Sequence, residues 1–244
     1  MKDSKRNDFL SGRSTGPHRA AAALQDNATA FFASFQGRHA AMMACRRGCS
    51  ACCHVSLSIF TVEASLILAW ARGLAPADAH KLAIALAQRE TSDRAGKTPP
   101  GPTPDGELAQ PCPFLVNCAC SIYPARPTLC RTQGLPLVWQ DEDLGTGGPA
   151  VRNPQARLNV CPLHPGYGQE GWPPVAESLD VDRLNTLLSL AQNSYEAEGN
   201  TTGEKDQTST SPAASPGDAR IPLSTLRTLV IGVCKETAAG LVES

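Results

Sequence analysis

Apolar residues along the chain recur mostly at helical spacing. Between 20 and 43, Leu24, Phe31, Phe32, Phe35 and Met42 or Met43 share one helical face in an alanine-rich background. A short alternating stretch over 55–60 leads to Thr61, a candidate N-cap with Glu63 in the first turn, and to a helix over 62–72. Gly73 supplies its stop, and Pro76 opens another helix through about Gln88 whose apolar content is Leu82, Ile84 and Leu86. Residues 92–110 hold four prolines from Pro99 to Pro104 together with Gly96, Gly101 and Gly106, a density that excludes regular structure and predicts an exposed linker. Pro113, Pro124 and Pro127 divide 112–131 into short turns, with Pro127 placed to open a brief helical turn ending at Cys130. Residues 135–139 read as a strand, followed by acidic Asp141 to Asp143 and a glycine-rich turn over 145–148. Farther on, Leu184, Leu187, Leu188 and Ala191 predict a helix over 179–192 behind the capping candidate Asp180. Leu226, Leu229, Val230 and Val233 predict a last helix, begun by Pro222, whose apolar stripe must dock on a core. The pattern is mainly α: a small helical domain with an irregular cysteine-rich metal-binding centre.

Length and composition fit this picture. A chain of 244 residues, 41% hydrophobic and 18% charged, buries one core. The expected organisation is a flexible N-terminal arm over 1–19, a cysteine-cluster metal-binding domain over 20–194 with its exposed linker at 92–110, a disordered linker over 195–218, and a C-terminal helix over 219–244 docking on the same domain. The longest apolar run, Leu66 to Ala71, falls far short of the roughly 20 residues a spanning helix needs. A net charge of −1 provides no field to recruit nucleic acid or an anionic membrane. A protein or redox partner, its identity unspecified, is expected instead. Ten cysteines without a secretory leader, two of them the vicinal pair Cys52 and Cys53, point to a reducing cytoplasm rather than a disulfide framework.

The chemistry lies in the thiols. Cys45, Cys49, Cys52 and Cys53 fall within nine residues. On an unbroken helix they would form one stripe, yet Cys45 and Cys52 would stand about 10 Å apart along the axis. A tetrahedral zinc needs its sulfurs roughly 3.8 Å apart. Either the ladder serves more than one metal atom, or the helix breaks at Gly48 and Cys49 to Cys52 becomes a two-residue knuckle. Both readings need thiols from elsewhere, and Cys112, Cys118, Cys120, Cys130, Cys161 and Cys234 follow. Neighbouring Arg46, Arg47 and Arg131 are expected to lower the thiol pKa values and offset thiolate charge. His54 and His164 adjoin the thiols and are candidate substitutes for one ligand. No catalytic residue can be named: the sequence lacks a phosphate-binding loop, a Ser-His-Asp pattern and an H-E-x-x-H motif.

The pattern Cys45-x3-Cys49-x2-Cys52-Cys53, Cys112-Pro113-Phe114-Leu115 and Cys120-Ser121-Ile122-Tyr123-x2-Arg126-Pro127-x2-Cys130-Arg131 resembles the YkgJ-type cysteine-cluster family, whose members are described as zinc- or iron-chelating. Flagellin lysine methylase is related to it by motif, but nothing else in the chain points to a methyl donor. The resemblance covers about 45–162 and implies a metal site of eight cysteines: Cys45, Cys49, Cys52, Cys53, Cys112, Cys120, Cys130 and Cys161. It implies an iron–sulfur cluster as cofactor, with zinc the alternative. Cys118 departs from the pattern, and the Ile122-Tyr123 context favours Cys120 over it. Residues 112–165, poor in periodic apolar residues, are expected to need the metal in order to fold.

Overall fold

A computed structural model describes residues 16–46, 48–140, 156–201 and 219–240. The arm up to residue 15, the acidic and glycine-rich stretch 141–155 and most of the 195–218 linker lie outside them.

Helix α1, Gly16–His39, starts before the alanine-rich stretch and so takes in the end of the segment read as a loose arm. It buries Ala21, Ala22, Ala28 and Phe35 and passes into a single 3-10 turn, Ala40–Met42. Strand β1, Ser58–Phe60, leads into α2, Thr61–Arg72. Thr61 is not the cap; Phe60 holds that position and makes no side-chain cap bond. The orphan donor at Val62 goes instead to Gln192 Oε1 at 3.0 Å, while Gln192 Nε2 donates to Thr61 Oγ1 at 2.7 Å. A buried amide from a later helix therefore closes this N-terminus. Gly73 ends α2, and Pro76 is the first residue of α3, Pro76–Arg94, which runs beyond the expected Gln88.

The proline-rich linker is more ordered than its composition suggests. Gly101–Pro102 (β2) pairs with Leu108–Ala109 (β3), and Thr103 N donates to Glu107 O at 2.8 Å across a turn whose Gly106 has φ +85°. A glycine at positive φ allows this reversal, and a two-residue ladder has little use for the N–H groups that proline lacks. The next hairpin, Leu115–Val116 (β4) with Ala119–Cys120 (β5), turns on Asn117 and Cys118 at φ +51° and +58°. Helix α4, Thr128–Thr132, follows Pro127. Glu63, 3% exposed, accepts the Thr128 N–H at 2.7 Å and so ties α4 to the start of α2.

Strand β6, Leu137–Gln140, lies between antiparallel β7, Ala156–Asn159, and parallel β8, Leu179–Asp180. Asp180 caps α5, Val181–Thr201, by accepting the Arg183 N–H, as its position predicts. This helix occupies the first residues of the segment read as a disordered linker. Strand β9, Arg220–Pro222, pairs antiparallel with β1 and delivers α6, Leu223–Ala238, onto α2 and α3. Leu226 and Val230 on α6 are fully buried, each worth about 1.5–3 kcal/mol in transfer from water. Leu229, read as part of the same stripe, is 45% exposed.

The fold is thus helix-rich with small sheets. The main core joins Ile67, Leu86, Leu226 and Val230 to Phe114 and Ile122. Residues 112–165, poor in periodic apolar positions, nevertheless bury single ones: Phe114, Ile122 and Leu135 are each 1–2% exposed. They escape a periodicity search because each stands alone in a turn. Among the described residues no helix is long and apolar enough to cross a membrane.

Candidate metal centre

The thiol ladder is not helical. Beyond the 3-10 turn Met43 is extended, and Cys49 N donates to Arg46 O across a turn in which Gly48 has φ +92°. The chain breaks where the glycine permits it. Ala51–Cys53 then forms one 3-10 turn, closed by Cys53 N to Ser50 O and His54 N to Ala51 O. Within this turn the thiols of vicinal Cys52 and Cys53 hydrogen-bond to each other.

Two groups of thiols follow. Cys45, Cys49, Cys52 and Cys161 line one pocket of about 200 Å³, with Asp105 from the β2–β3 turn, Gln133 and Asn159 also on its wall. Beside it, Cys112 N donates to Cys53 O at 2.7 Å, and Cys130 is acted on electrostatically by Cys112, Cys120 and the pocket thiol Cys52. Cys118 stands exposed at the tip of the β4–β5 hairpin while Cys120 turns inward. Cys234 is fully buried in the main core among α6 residues.

The arginine expectation is only partly met. Burial pushes Cys112 up to about 11 and Cys45 and Cys130 up to about 12, and it raises Cys120 and Cys161 as well. Cys52 is raised by its hydrogen bond to Cys53 and then by burial. Without metal these six are therefore neutral thiols at neutral pH. Arg131 does oppose the rise at Cys120, but Arg46 reaches only to the Ala44 carbonyl at 3.5 Å, and Arg47 lies outside the described residues. The guanidinium groups that matter most were not singled out for this role. Arg126 opposes the rise at Cys52, Cys120 and Cys130, and Arg89 does so at Cys112. Arg126 packs 3.7 Å above the Tyr123 ring and donates to Cys130 O. Arg89 donates to Leu115 O and Pro111 O, pinning the Cys112 loop to α3. Side chains that donate to the carbonyls of thiol-bearing turns are the signal that finds them.

His164 is 3% exposed and both ring nitrogens are taken: Ala44 N–H donates to Nδ1 at 2.9 Å, and Nε2–H donates to Gly134 O at 2.8 Å. It clamps the backbone on both sides of Cys45. Gly134 itself, at φ +89°, lies so close that a Cβ there would overlap Cys45 Sγ. His54 Nδ1 donates to Ser50 O at 3.1 Å and its Nε2 edge lies against Gly101.

Among the described residues no three His, Cys, Asp or Glu side chains are close enough to hold one ion as they stand. The donor set fits a soft metal: thiols without competing carboxylate pairs, guanidinium counter-charge, and a glycine leaving room for sulfur.

A helix-rich scaffold carries these cysteines on four separate stretches of chain, and four of them line one pocket. Residues 44–146 match the model of the CxxCxxCC family, described as "Putative zinc- or iron-chelating domain", which is consistent with the YkgJ-type resemblance. Cys161 lies beyond the matched residues, although the fold returns it to the pocket of Cys45. No curated protein and no solved structure matches the chain.

Proposed function

We propose that the protein holds metal through Cys45, Cys49, Cys52, Cys53, Cys112, Cys120, Cys130 and Cys161, as an iron–sulfur centre with a redox or oxidoreductase role, in a reducing cytoplasm and with a protein or redox partner. The observation that carries this reading is the convergence of Cys45, Cys49, Cys52 and Cys161 on one pocket, backed across the Cys52–Cys53 pair by Cys112, Cys120 and Cys130. An iron–sulfur centre supplies one-electron transfer when bound. The chain's own residues hold the thiols in place: His164 fixes the peptides around Cys45, Gly134 leaves space for its sulfur, and Arg89 and Arg126 offset thiolate charge.

The alternative is a zinc-stapled structural or interaction module. It is favoured by one observation, the attachment of the Cys112–Cys120 hairpin to the main core through Phe114 and Ile122, which makes this thiol loop a folding element. Anaerobic purification separates the two readings. Iron with acid-labile sulfide and a brown colour is expected; a colourless protein that holds zinc and refuses iron on reconstitution favours the alternative, and a chain that binds neither metal overturns both.

A further inference from the structure

Arg131 follows Cys130 on α4 and is 5% exposed. A guanidinium keeps its charge at any pH a protein meets, so burying it is costly unless its donors find acceptors. The chain that separates Cys120 from Cys130 supplies two of them. Arg131 Nε–H donates to Arg126 O at 2.7 Å and Nη2–H to Pro124 O at 2.9 Å, carbonyls in and just after the 3-10 turn Tyr123–Ala125. Pro124 and Pro127 bring no N–H to this loop, and the fork of Arg131 supplies donors in their place. The third bond leaves the loop. Arg131 Nη1–H donates to Thr29 Oγ1 on α1 at 2.9 Å, and Thr29 Oγ1 donates in turn to Gln25 O at 2.8 Å. Seven residues on, and so on the same face of α1 about 10 Å farther along its axis, Gln36 Nε2 donates to Cys45 O at 2.8 Å. One helix face thus holds both the loop between Cys120 and Cys130 and the peptide of Cys45. Glu63 fixes the start of α4 from another side by accepting the Thr128 N–H.

We infer that Arg131 is a positioning residue of the metal centre: its bonds to Pro124 O, Arg126 O and Thr29 Oγ1 set the separation of Cys120 and Cys130 and register both against Cys45 along α1. The inference rests on the metal-binding reading above, and it gives Arg131 a role of shape rather than of charge. A lysine in its place keeps the charge. A single ammonium on a flexible stem, however, cannot bond two loop carbonyls and Thr29 in the fixed geometry of a planar fork. Charge compensation therefore predicts that lysine suffices, and positioning predicts that it does not.

The test uses the full chain and its Arg131→Lys variant, reduced, freed of metal and titrated anaerobically with cobalt(II), whose thiolate charge-transfer absorption reports how many sulfurs bind. A parallel reconstitution uses ferrous iron with sulfide. Circular dichroism gives the folded fraction, to which bound metal is normalised. Arg131→Lys should bind cobalt about 10- to 100-fold more weakly, as when an outer-shell partner of a metal site is lost, and should show less charge-transfer absorption per bound ion. Wild-type affinity and spectrum in Arg131→Lys overturn the inference and leave metal binding intact. A wild-type chain that takes up neither cobalt nor iron overturns both. Thr29→Val covers the case in which the lysine variant does not fold, since Thr29 lies at an exposed position on α1. It removes one acceptor and leaves every charge in place, so weaker cobalt binding with an altered spectrum is expected; there, binding and spectrum equal to wild type overturn the inference.

Discussion

Gly134→Ala perturbs Cys45 through a single carbon. Gly134 has φ +89°, where an L residue costs roughly 1–2 kcal/mol. Its added Cβ would also overlap Cys45 Sγ and lie 3.7 Å from Cys45 Cβ and from Phe32 Cε2. The backbone has little freedom to withdraw, because Gly134 O is held by His164 and His164 by Ala44. The sulfur must therefore move. Gly96→Ala is the matched control: φ is +64° and nothing lies within 4 Å of the new Cβ. Both variants should lose about 1–2 kcal/mol from backbone strain, a fall of about 2–8 °C in Tm for a chain of this size. Only Gly134→Ala should also lose metal held through Cys45. Calorimetry with metal analysis on both purified variants measures this. Equal Tm shifts with undiminished metal in Gly134→Ala would refute the placement of Cys45 against Gly134.

Cys118→Gly should keep full metal content and gain about 1 kcal/mol, because it relieves an L residue at φ +58° and creates the Asn-Gly pair favoured in such hairpins; metal loss would bring Cys118 into the site. Cys234→Ser should also keep its metal but lose about 1–3 kcal/mol, since the hydroxyl enters an apolar core, as chemical denaturation would show. Burial alone would raise the Asp93 carboxyl, but hydrogen bonds from Arg89, Thr98 and Arg227 outweigh it and hold the group below its ordinary value. Its stabilisation is then present above the unfolded pKa of about 3.9 and lost as pH falls through the lower folded value, so denaturation from about pH 5 to pH 2 should show a steeper acid loss in wild type than in Asp93→Asn. Hydrogen exchange after metal removal should rise over 156–165 while 112–135 keeps part of its protection through Phe114, Ile122 and Leu135; unchanged exchange over 156–165 would separate Cys161 from the metal.

Helices were legible wherever one face repeats. Pro76 opening α3, Asp180 capping α5 and the docked α6 all follow from local rules. What periodicity missed depends on distant partners. Thr61 looks like a cap, but Phe60 holds that position and the helix start is closed by Gln192, which accepts the Val62 N–H from 130 residues away. Leu229 fits the α6 stripe by spacing, yet helix rotation is set by where α2 and α3 lie, and that leaves it outside. The hairpin inside the proline-rich linker escaped because a count of breakers ignores that glycines and prolines also shape turns.

At the thiols, spacing draws attention to the cysteines but not to how the fold arranges them. Cys52 and Cys53 are equivalent in a motif and differ only once the backbone is known to be 3-10 there, a conformation that Gly48 permits but does not specify. The same limit applies to Cys161. Its distance in sequence from Cys45 says nothing about proximity, which arises because β7 pairs with β6 and so returns the chain to the end of α1. His164, three residues on, then anchors that return by bonding Ala44 and Gly134 together. A lone histidine beside a cysteine reads as a ligand candidate from sequence. In the fold both its ring nitrogens are taken, and its contribution is to hold the backbone beside Cys45.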